Sequence, residues 1–394
     1  MAETVMLSTD LVFEILDCLA IPMSLHQRCC DFAVLAACSL VCKIWSARAQ
    51  RLLFRRVLLP HNIYREPYRR ATSPNSLPSF LSAIGPDTER GRWLAESVLS
   101  LTVRHTGREM ISNPAGLATV LLRTPNLRHL DVTTISCDFD HETLELLRAE
   151  GPRITSLSIL RDFSPSPAQH TRIMHQLVAS FPSVRLLEIT TDLSSLPPFE
   201  PPLSLSLASV KFNTPMVADI GPCLASLLNP TEDGEPLQLL WHKSQGGHPT
   251  ALGDVLRVYG PHLRSLSIKT LDEPQTAFLS LCTRLERFEF GRFPNSAALA
   301  AIPRTIKALA ISHEPDSRPG VIGTLSIGVE RLTEALKTFP LLEVLTWSFC
   351  PNHPLVVRLR TVCVERGIEL RTSATELTDD NAIELELRRK HIRI

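Results

Sequence analysis

The sequence predicts an α/β fold with a short N-terminal module of three helices, followed by an irregular solenoid that has parallel strands inside and helices outside. Three observations predict this fold. Apolar residues recur every three or four positions in two segments of the first 57 residues. From residue 98 onward, a six-residue pattern, apolar-x-x-apolar-x-apolar, returns about ten times. Amphipathic helical runs separate many copies, so each strand–helix–strand unit forms a right-handed crossover and stacks on the next unit.

Residues 7–19, which read LSTDLVFEILDCL, predict the first helix. Ser8 or Thr9 can cap its first turn, and Asp10 complements the positive end of the helix dipole. Pro22 then ends the helix. The apolar stripe of this helix consists of Leu11, Val12, Ile15, Leu16 and Leu19.

A second helical run extends from about residue 32 to residue 57. Its apolar residues recur every three or four positions, and its other face carries Lys43, Arg48 and Arg51. We expect a break near Ser46 that divides the run into two helices, and we expect Trp45 to lie in the core of the module.

Three blocks in these helices, in order, resemble an F-box. They are LSTDLVFEILDCL from residue 7, LAACSLVCKIW from residue 35 and LFRRV from residue 53. The resemblance covers residues 5–58. The sequence departs from the family at Ser8, where the family usually has proline, and in the insert of residues 20–31. Together with the repeats described below, the module is similar to fungal F-box domain-containing proteins.

The resemblance implies that the module binds a Skp1-like adaptor and, through it, the cullin of a ubiquitin ligase. The implied apolar anchors are Leu7, Leu11, Ile15, Leu16 and Val41. Burial of one Leu or Ile is worth about 1.5–3 kcal/mol, so a few anchors can hold such a contact. Ordinary core packing is the alternative interpretation of each of these residues.

Residues 59–94 change in character. They mix Pro, Ser, Asn and Arg without apolar periodicity, which predicts a surface connector or an extended segment packed on the first repeats. Arg65, Arg69 and Arg70 stand close to Tyr64 and Tyr68. Such a mixture can bind RNA, but the cluster is short and the chain is neutral, so a solvated linker is favoured.

The repeated pattern predicts strands that begin mostly 21–30 residues apart. A tight turn containing proline precedes many copies, as in TPN before Leu127 and GPH before Leu263. The copies begin at Val98, Leu127, Ile154, Val184, Leu207, Leu237, Leu263, Leu285, Ile306 and Leu342, and the Leu237 copy is weak. The helical runs between them cover residues 116–123, 142–150, 171–181, 251–259, 331–339 and 356–366.

This arrangement resembles the leucine-rich repeats over residues 95–372. Most copies lack the buried Asn or Cys of that family, and only Cys350 fits. Pro-rich inserts at residues 192–206, 229–250 and 312–328 interrupt the array, so we expect uneven curvature. Residues 373–394 form a charged C-terminal tail, for which we expect a solvated terminal helix.

The resemblance places the x positions of the strands on the concave face of the solenoid. Charges of both signs alternate there, which suits a target protein better than a polyanion. The candidate target-binding residues are Arg128, Asp131, Arg185, Glu188, Lys211, Arg264, Arg287, Glu289 and Lys307. The alternative interpretation is that most of them are simply solvated residues of a strand face.

Composition disfavours several other classes of function, although a local basic patch stays compatible with it. Lys plus Arg and Asp plus Glu both number 41, so no net charge attracts nucleic acid or an anionic membrane. No segment has about 18 uncharged apolar residues in succession. The ten cysteines lack the CxxC pairs of zinc sites and read as free thiols in a reducing compartment. We therefore expect neither a metal nor a cofactor, and a cytoplasmic or nuclear location.

The sequence contains no GxSxG, Walker loop, HExxH or GxGxxG motif, so no catalytic residue is predicted. The preferred hypothesis is a non-catalytic substrate receptor of a Skp1–cullin–F-box ubiquitin ligase. The alternative is a leucine-rich-repeat interaction scaffold unrelated to ubiquitin, in which the N-terminal helices are a cap. An enzyme with a parallel α/β core is the least favoured class.

Overall fold

The computed structural model divides the chain into two compact units, Met1–Phe181 and Pro182–Arg393. The chain is α/β in both units, and all strand pairs given below are parallel. The structure describes residues 8–20, 32–60, 77–104, 114–133, 137–160, 167–190, 198–200, 202–203, 205–213, 221–228, 236–243, 250–268, 273–291, 296–311, 321–347, 354–372 and 382–392.

The first unit begins with three helices. They are α1 (Thr9–Ala20), α2 (Phe32–Cys38) and α3 (Lys43–Arg55). Val12, Leu16, Leu35 and Leu52 form their buried core, and Trp45 packs against it as expected. The break in the second helical run lies at residues 39–42 and not near Ser46. The Ser39 hydroxyl donates to the Ala36 carbonyl, a local bond that competes with continuation of the helix.

The rest of the first unit alternates strands and helices. Its elements are β1 (Arg56–Pro60), α4 (Leu77–Ala83), α5 (Glu89–Ser97), β2 (Ser100–Arg104), α6 (Pro114–Arg123), β3 (His129–Thr133), α7 (His141–Glu150), β4 (Ser156–Leu160) and α8 (Pro167–Ser180). β1 to β4 pair in sequence order. Three of these elements were not expected: β1 follows α3 directly, and α4 and α5 occupy the second half of the predicted connector.

The second unit repeats the same alternation. Its elements are β5 (Leu186–Thr190), β6 (Ser209–Asn213), α9 (Gly221–Leu227), β7 (Leu239–Lys243), α10 (Thr250–Tyr259), β8 (Ser265–Ile268), α11 (Glu273–Leu279), β9 (Arg287–Phe290), α12 (Ser296–Ala301), β10 (Ala308–Ile311), α13 (Val321–Leu336), β11 (Val344–Trp347), α14 (Pro354–Glu365), β12 (Glu369–Arg371) and α15 (Ala382–Ile392). β5 to β12 pair in sequence order. Each copy of the predicted pattern contains a strand, and α13 begins inside the insert predicted at residues 312–328.

The strand register assigns the side chains to two faces of each sheet. Because side chains alternate along a strand, Leu187, Val210 and Leu240 share one face, while Glu188, Lys211 and Trp241 share the other. The first face is fully apolar at these positions and buried. The helices that link the strands contact their neighbours in sequence, as α10 contacts α9 and α11. This is the strand and helix layering expected of a solenoid.

Within the part of the chain that the structure describes, no helix combines the length and the apolar character needed to cross a lipid bilayer.

Candidate protein-interaction surfaces

The N-terminal module carries apolar side chains outside its own core. Leu11 and Ile15 lie one turn apart on α1, and they are 44% and 47% exposed. Val41, in the turn between α2 and α3, is 61% exposed. These three are predicted anchors, and the structure leaves them accessible. The prediction did not include Val34, Leu40 and Ile44, which are also exposed apolar residues of this module.

Two other predicted anchors differ in outcome. Leu16 is only 1% exposed and lies in the core with Val12 and Leu35, so its assignment as a surface anchor is corrected. The apolar stripe of α1 is wide, and packing against α2 and α3 takes only one side of it. Leu7 lies outside the described residues. Ser8, which replaces the usual proline, accepts a 3.2 Å hydrogen bond from the Leu11 amide and so caps α1.

The orientation of α1 on α3 is fixed by a bidentate ion pair. The Arg48 guanidinium donates to both carboxylate oxygens of Asp17, and the bond from Nε is 3.0 Å long. The same guanidinium lies 5.7 Å from the centroid of the Phe13 ring. Planar pairing and ring stacking together restrain rotation of α1, which holds Leu11 and Ile15 on the outer side.

A groove separates the α2–α3 region from α5. Arg90 of α5 donates a 3.2 Å hydrogen bond to Gln50, and the Arg51 guanidinium lies 5.9 Å from the centroid of the Trp93 ring. α5 is therefore tied to the module, although the sequence placed it in a connector. The residues that line the groove are Ser39, Leu40, Cys42, Lys43, Ser46, Ala47, Gln50, Glu89, Arg90 and Trp93.

The predicted target-binding residues do not form one accessible set. In the first unit, Asp131 is buried on β3, and in the second unit Glu289 is buried on β9. Both assignments are corrected, because only 7% of Asp131 and 5% of Glu289 is exposed. Of the nine predicted target-binding residues, only Lys307 is exposed. The half-buried ones are Arg128, Arg185, Glu188, Lys211, Arg264 and Arg287.

In the second unit, α15 covers part of the sheet. Ile383, Leu387 and Ile392 are buried with Leu186, Ala208 and Leu239, and Trp241 packs against this cluster. Leu186 and Leu239 alternate with the core residues Leu187 and Leu240, so α15 lies on the sheet face opposite that core. We call this surface the α15 face, and it consists of Leu186, Ala208, Lys211, Leu239, Trp241 and Arg264. The expectation of a solvated terminal helix is therefore corrected.

A buried carboxylate fixes α15 in place. Lys211 donates a 2.5 Å hydrogen bond to Glu384, of whose side chain only 8% is exposed. Arg388 on the same helix donates a 2.9 Å bond to the second oxygen of Glu384. Burial alone would raise the pKa of Glu384, but the charges and hydrogen bonds of Lys211 and Arg388 lower it below its ordinary value of 4.5. The carboxylate is therefore ionised at neutral pH.

A second set of charges connects α15 with three consecutive strand starts. Arg264, before β8, donates a 2.7 Å bond to Glu286 and bonds of 2.9 and 3.0 Å to Glu386 of α15. Lys307 contacts the other oxygen of Glu286 at 2.9 Å. Burial opposes ionisation of Glu286, yet these two cations lower its pKa below the ordinary value. Three of the predicted target-binding residues, Lys211, Arg264 and Lys307, thus already hold carboxylates of this chain.

The apolar part of the α15 face was not predicted from the sequence. Leu186, Leu239 and Trp241 occupy x positions, where most other copies of the pattern carry polar or small residues. Large apolar residues at positions that should be solvated mark a surface that something covers. That signal was present in the sequence, and so was the spacing of Ile383 and Leu387 on the tail.

Neither a protein-family model nor a curated protein matches this sequence. The functional assignment therefore depends on the two surfaces described above.

Proposed function

We propose that this chain is a non-catalytic adaptor whose N-terminal module docks on a Skp1-like protein while its repeats hold a target protein. In this role the chain is the substrate receptor of a cullin-based ubiquitin ligase and works in the cytoplasm or nucleus. Its chemistry is proximity, because the receptor holds a target lysine near a charged conjugating enzyme.

One observation carries the proposal. The module has a complete core of its own, with Leu16 and Leu35 fully buried, and yet Leu11 and Ile15 remain outside on the same helix. Val41 adds a further exposed apolar side chain next to α3. Apolar side chains at positions that an internal core does not need support a docking role for an outside protein.

A second candidate has its own supporting observation. α3 continues directly into β1, and β1 pairs with β2 from Arg56 opposite Ser100 to Pro60 opposite Arg104. The N-terminal helices thus precede the first strand of the array without a linker, as a solenoid cap does. Under this reading the chain is an interaction scaffold, and the exposed apolar residues of the module have no Skp1-like partner.

Capture of a purified Skp1-like protein by the full chain distinguishes the two candidates. The double variant Leu11→Asp, Ile15→Asp should lose at least tenfold in affinity, because charged groups replace two apolar contacts. Val357→Asp with Val364→Asp, two exposed positions on α14, is the matched control and should bind as the wild type does.

The circular dichroism melting curve of each variant accompanies this measurement, so that loss of binding is read only from folded protein. If the Leu11→Asp, Ile15→Asp variant binds the Skp1-like protein as well as the wild type does, or if the wild type does not bind it, the scaffold is favoured.

A further inference from the structure

The α15 face has the composition of a site that binds an amphipathic helix. At the first position of the paired strands, Leu186 of β5 lies beside Ser209 of β6, and Leu239 of β7 lies between Ser209 and Ser265. Small residues between two leucines leave a shallow apolar depression, and Trp241 extends it along β7. Such a depression accepts apolar side chains that protrude from one face of a helix.

The cations on this face select acidic side chains at particular positions of the helix. Lys211 and Arg264 bring two cations to the apolar cluster, and both contact carboxylates of α15. Ile383 and Leu387 stand one turn apart and form an apolar stripe, and Glu384 and Glu386 lie on opposite sides of it. The recognised element is therefore a helix with one acid on each side of an apolar stripe. Because Glu384 is almost fully enclosed, a neutral residue at that position would leave the Lys211 ammonium without its short-range partner.

α15 binds the sheet through side-chain contacts, as a bound ligand would. It contributes buried apolar side chains and ion pairs to the contact, whereas β5 to β8 are joined to each other by their own strand pairing. The helix has 11 residues, and isolated helices of that length are marginal in water. Its folding and its docking therefore occur together.

We propose that the α15 face is a binding site for an amphipathic helix of a partner protein that carries acids beside its apolar stripe, and that α15 is an intramolecular ligand that competes with this partner. The partner helix carries two acids two residues apart, with apolar residues that match Ile383, Leu387 and Ile392. The inference rests on the proposed capture of a target protein, and it adds the chemistry by which that target is recognised.

Fluorescence anisotropy with a labelled synthetic peptide of residues 380–394 tests this competition on the full chain. In the variant Ile383→Asp, Leu387→Asp the internal ligand is released, and the peptide should bind at least tenfold more tightly than it binds the wild type. Val357→Asp with Val364→Asp, which leaves α15 unchanged, should bind the peptide as weakly as the wild type. Equal affinity in the released variant and the wild type would overturn the proposal.

A milder variant covers the case in which the double aspartate variant does not fold. Glu384→Gln with Glu386→Gln removes only the two negative charges of α15, and a gain of about threefold in peptide affinity is expected. If this variant binds the peptide no more tightly than the wild type does, the proposal is overturned in the same way.

Charge reversal tests the chemistry of recognition. In the released chain, Lys211→Glu should weaken peptide binding at least tenfold, and a peptide with Glu384→Lys and Arg388→Glu should restore it. A second peptide keeps only Ile383, Glu384, Glu386, Leu387 and Ile392, with alanine and lysine elsewhere, and should bind, whereas a scrambled version of it should not. Binding that ignores Lys211 or the order of the residues contradicts the proposal.

The Skp1-like protein is measured in the same variants, which separates the two proposals. Loss of peptide binding with intact adaptor capture overturns only this inference, and the reverse result overturns only the ligase role. A wild-type chain that forms dimers at micromolar concentration, together with absent peptide binding in the released variant, would assign the α15 face to a second copy and overturn the proposal.

Discussion

Lys211 on β6 and Glu384 on α15 are 173 residues apart in sequence, and they form a 2.5 Å hydrogen bond. Strand pairing in each unit joins strands that follow one another in sequence, whereas this contact joins α15 to a strand near the middle of the sequence. A charged pair at the edge of an apolar cluster fixes register more strongly than apolar packing alone, since apolar contacts tolerate small shifts of the helix. Four predictions follow from this contact and from other features of the fold.

Acid should release α15. The pKa of Glu384 is lowered in the folded chain, so its contribution to docking is complete above its ordinary pKa of 4.5 and is lost as the pH falls through the lowered value. Fluorescence of Trp241, obtained as the difference between the wild type and Trp241→Phe, should therefore change between pH 4.5 and lower pH. In Glu384→Gln this transition should be absent, and an unchanged midpoint in that variant would contradict the assignment.

Adjacent positions on α1 should differ sharply in stability. Leu16→Ala removes a buried side chain and leaves a cavity, so it should lower the free energy of unfolding of the module by about 2–5 kcal/mol. Ile15→Ala should change this free energy by less than about 0.5 kcal/mol, because Ile15 is half exposed. Urea titration followed by Trp45 fluorescence measures both values. Equal losses at the two positions would show that the core has been assigned to the wrong side of the helix.

His242 should make the second unit sensitive to mild acid. It stands at a core-facing position between Phe212 and Ile268 on the neighbouring strands, and burial lowers its pKa from 6.5 to about 4. In the unfolded chain the His242 imidazole is protonated as the pH falls through 6.5, whereas in the folded chain it is protonated only near pH 4. The free energy of unfolding therefore decreases as the pH is lowered from about 6.5 to about 4.

The variant His242→Phe should remove this sensitivity, since phenylalanine keeps a ring of similar width. We expect the free energy of unfolding of the variant to exceed that of the wild type by about 1 kcal/mol at pH 5 and by clearly less at pH 7.5. Thermal melts at the two pH values measure the gain. His262→Phe, at an exposed position of the same unit, is the control. A gain for His242→Phe that is equal at both pH values would refute the role of protonation.

Gly91 should tolerate no side chain in the first turns of α5. A Cβ atom there would lie 2.0 Å from the Gly85 carbonyl oxygen, and the Gly91 amide already donates a 2.9 Å bond to the capping hydroxyl of Thr88. Gly91→Ala should lower the free energy of unfolding by about 1–3 kcal/mol, although alanine normally favours a helix.

Gly253→Ala offers a matched comparison for this prediction. The obstacle there is the partly exposed ring of Phe278, which can rotate away, so the loss should be smaller than at Gly91. Chemical denaturation of both variants decides the order, and a larger loss at Gly253 would be evidence against the backbone clash.

The repeated strands were predictable because their signal is local. In most copies, as with Leu130 and Val132 of β3, apolar residues alternate with polar or small ones, and the register then follows from the repeat itself. β1 was missed because its residues Arg56–Pro60 follow a helix without a break and were read as the end of that helix. β12 was missed because Glu369–Arg371 is too short to carry the pattern.

The candidate surfaces were predictable only in part. Helical periodicity places Leu11, Ile15 and Leu16 on one wide stripe, and only packing against α2 and α3 decides which of them is buried. The position of α15 depends on residues such as Lys211 that are far away in sequence, and a local pattern of charges says nothing about a distant partner. Glu384 looks solvated by composition, yet it is buried.

The order in which the chain is synthesised gives the α15 face a further consequence. Ribosomes complete Leu186, Leu239 and Trp241 well before Ile383 and Leu387, and domains begin to fold during synthesis. The strands therefore assemble first, and their apolar depression stays uncovered until α15 has left the exit tunnel. During that interval a helix of another protein, or a chaperone, can bind the uncovered α15 face of the nascent chain. Binding of a partner helix is therefore favoured during translation, and replacement of α15 by a partner helix is slower afterwards.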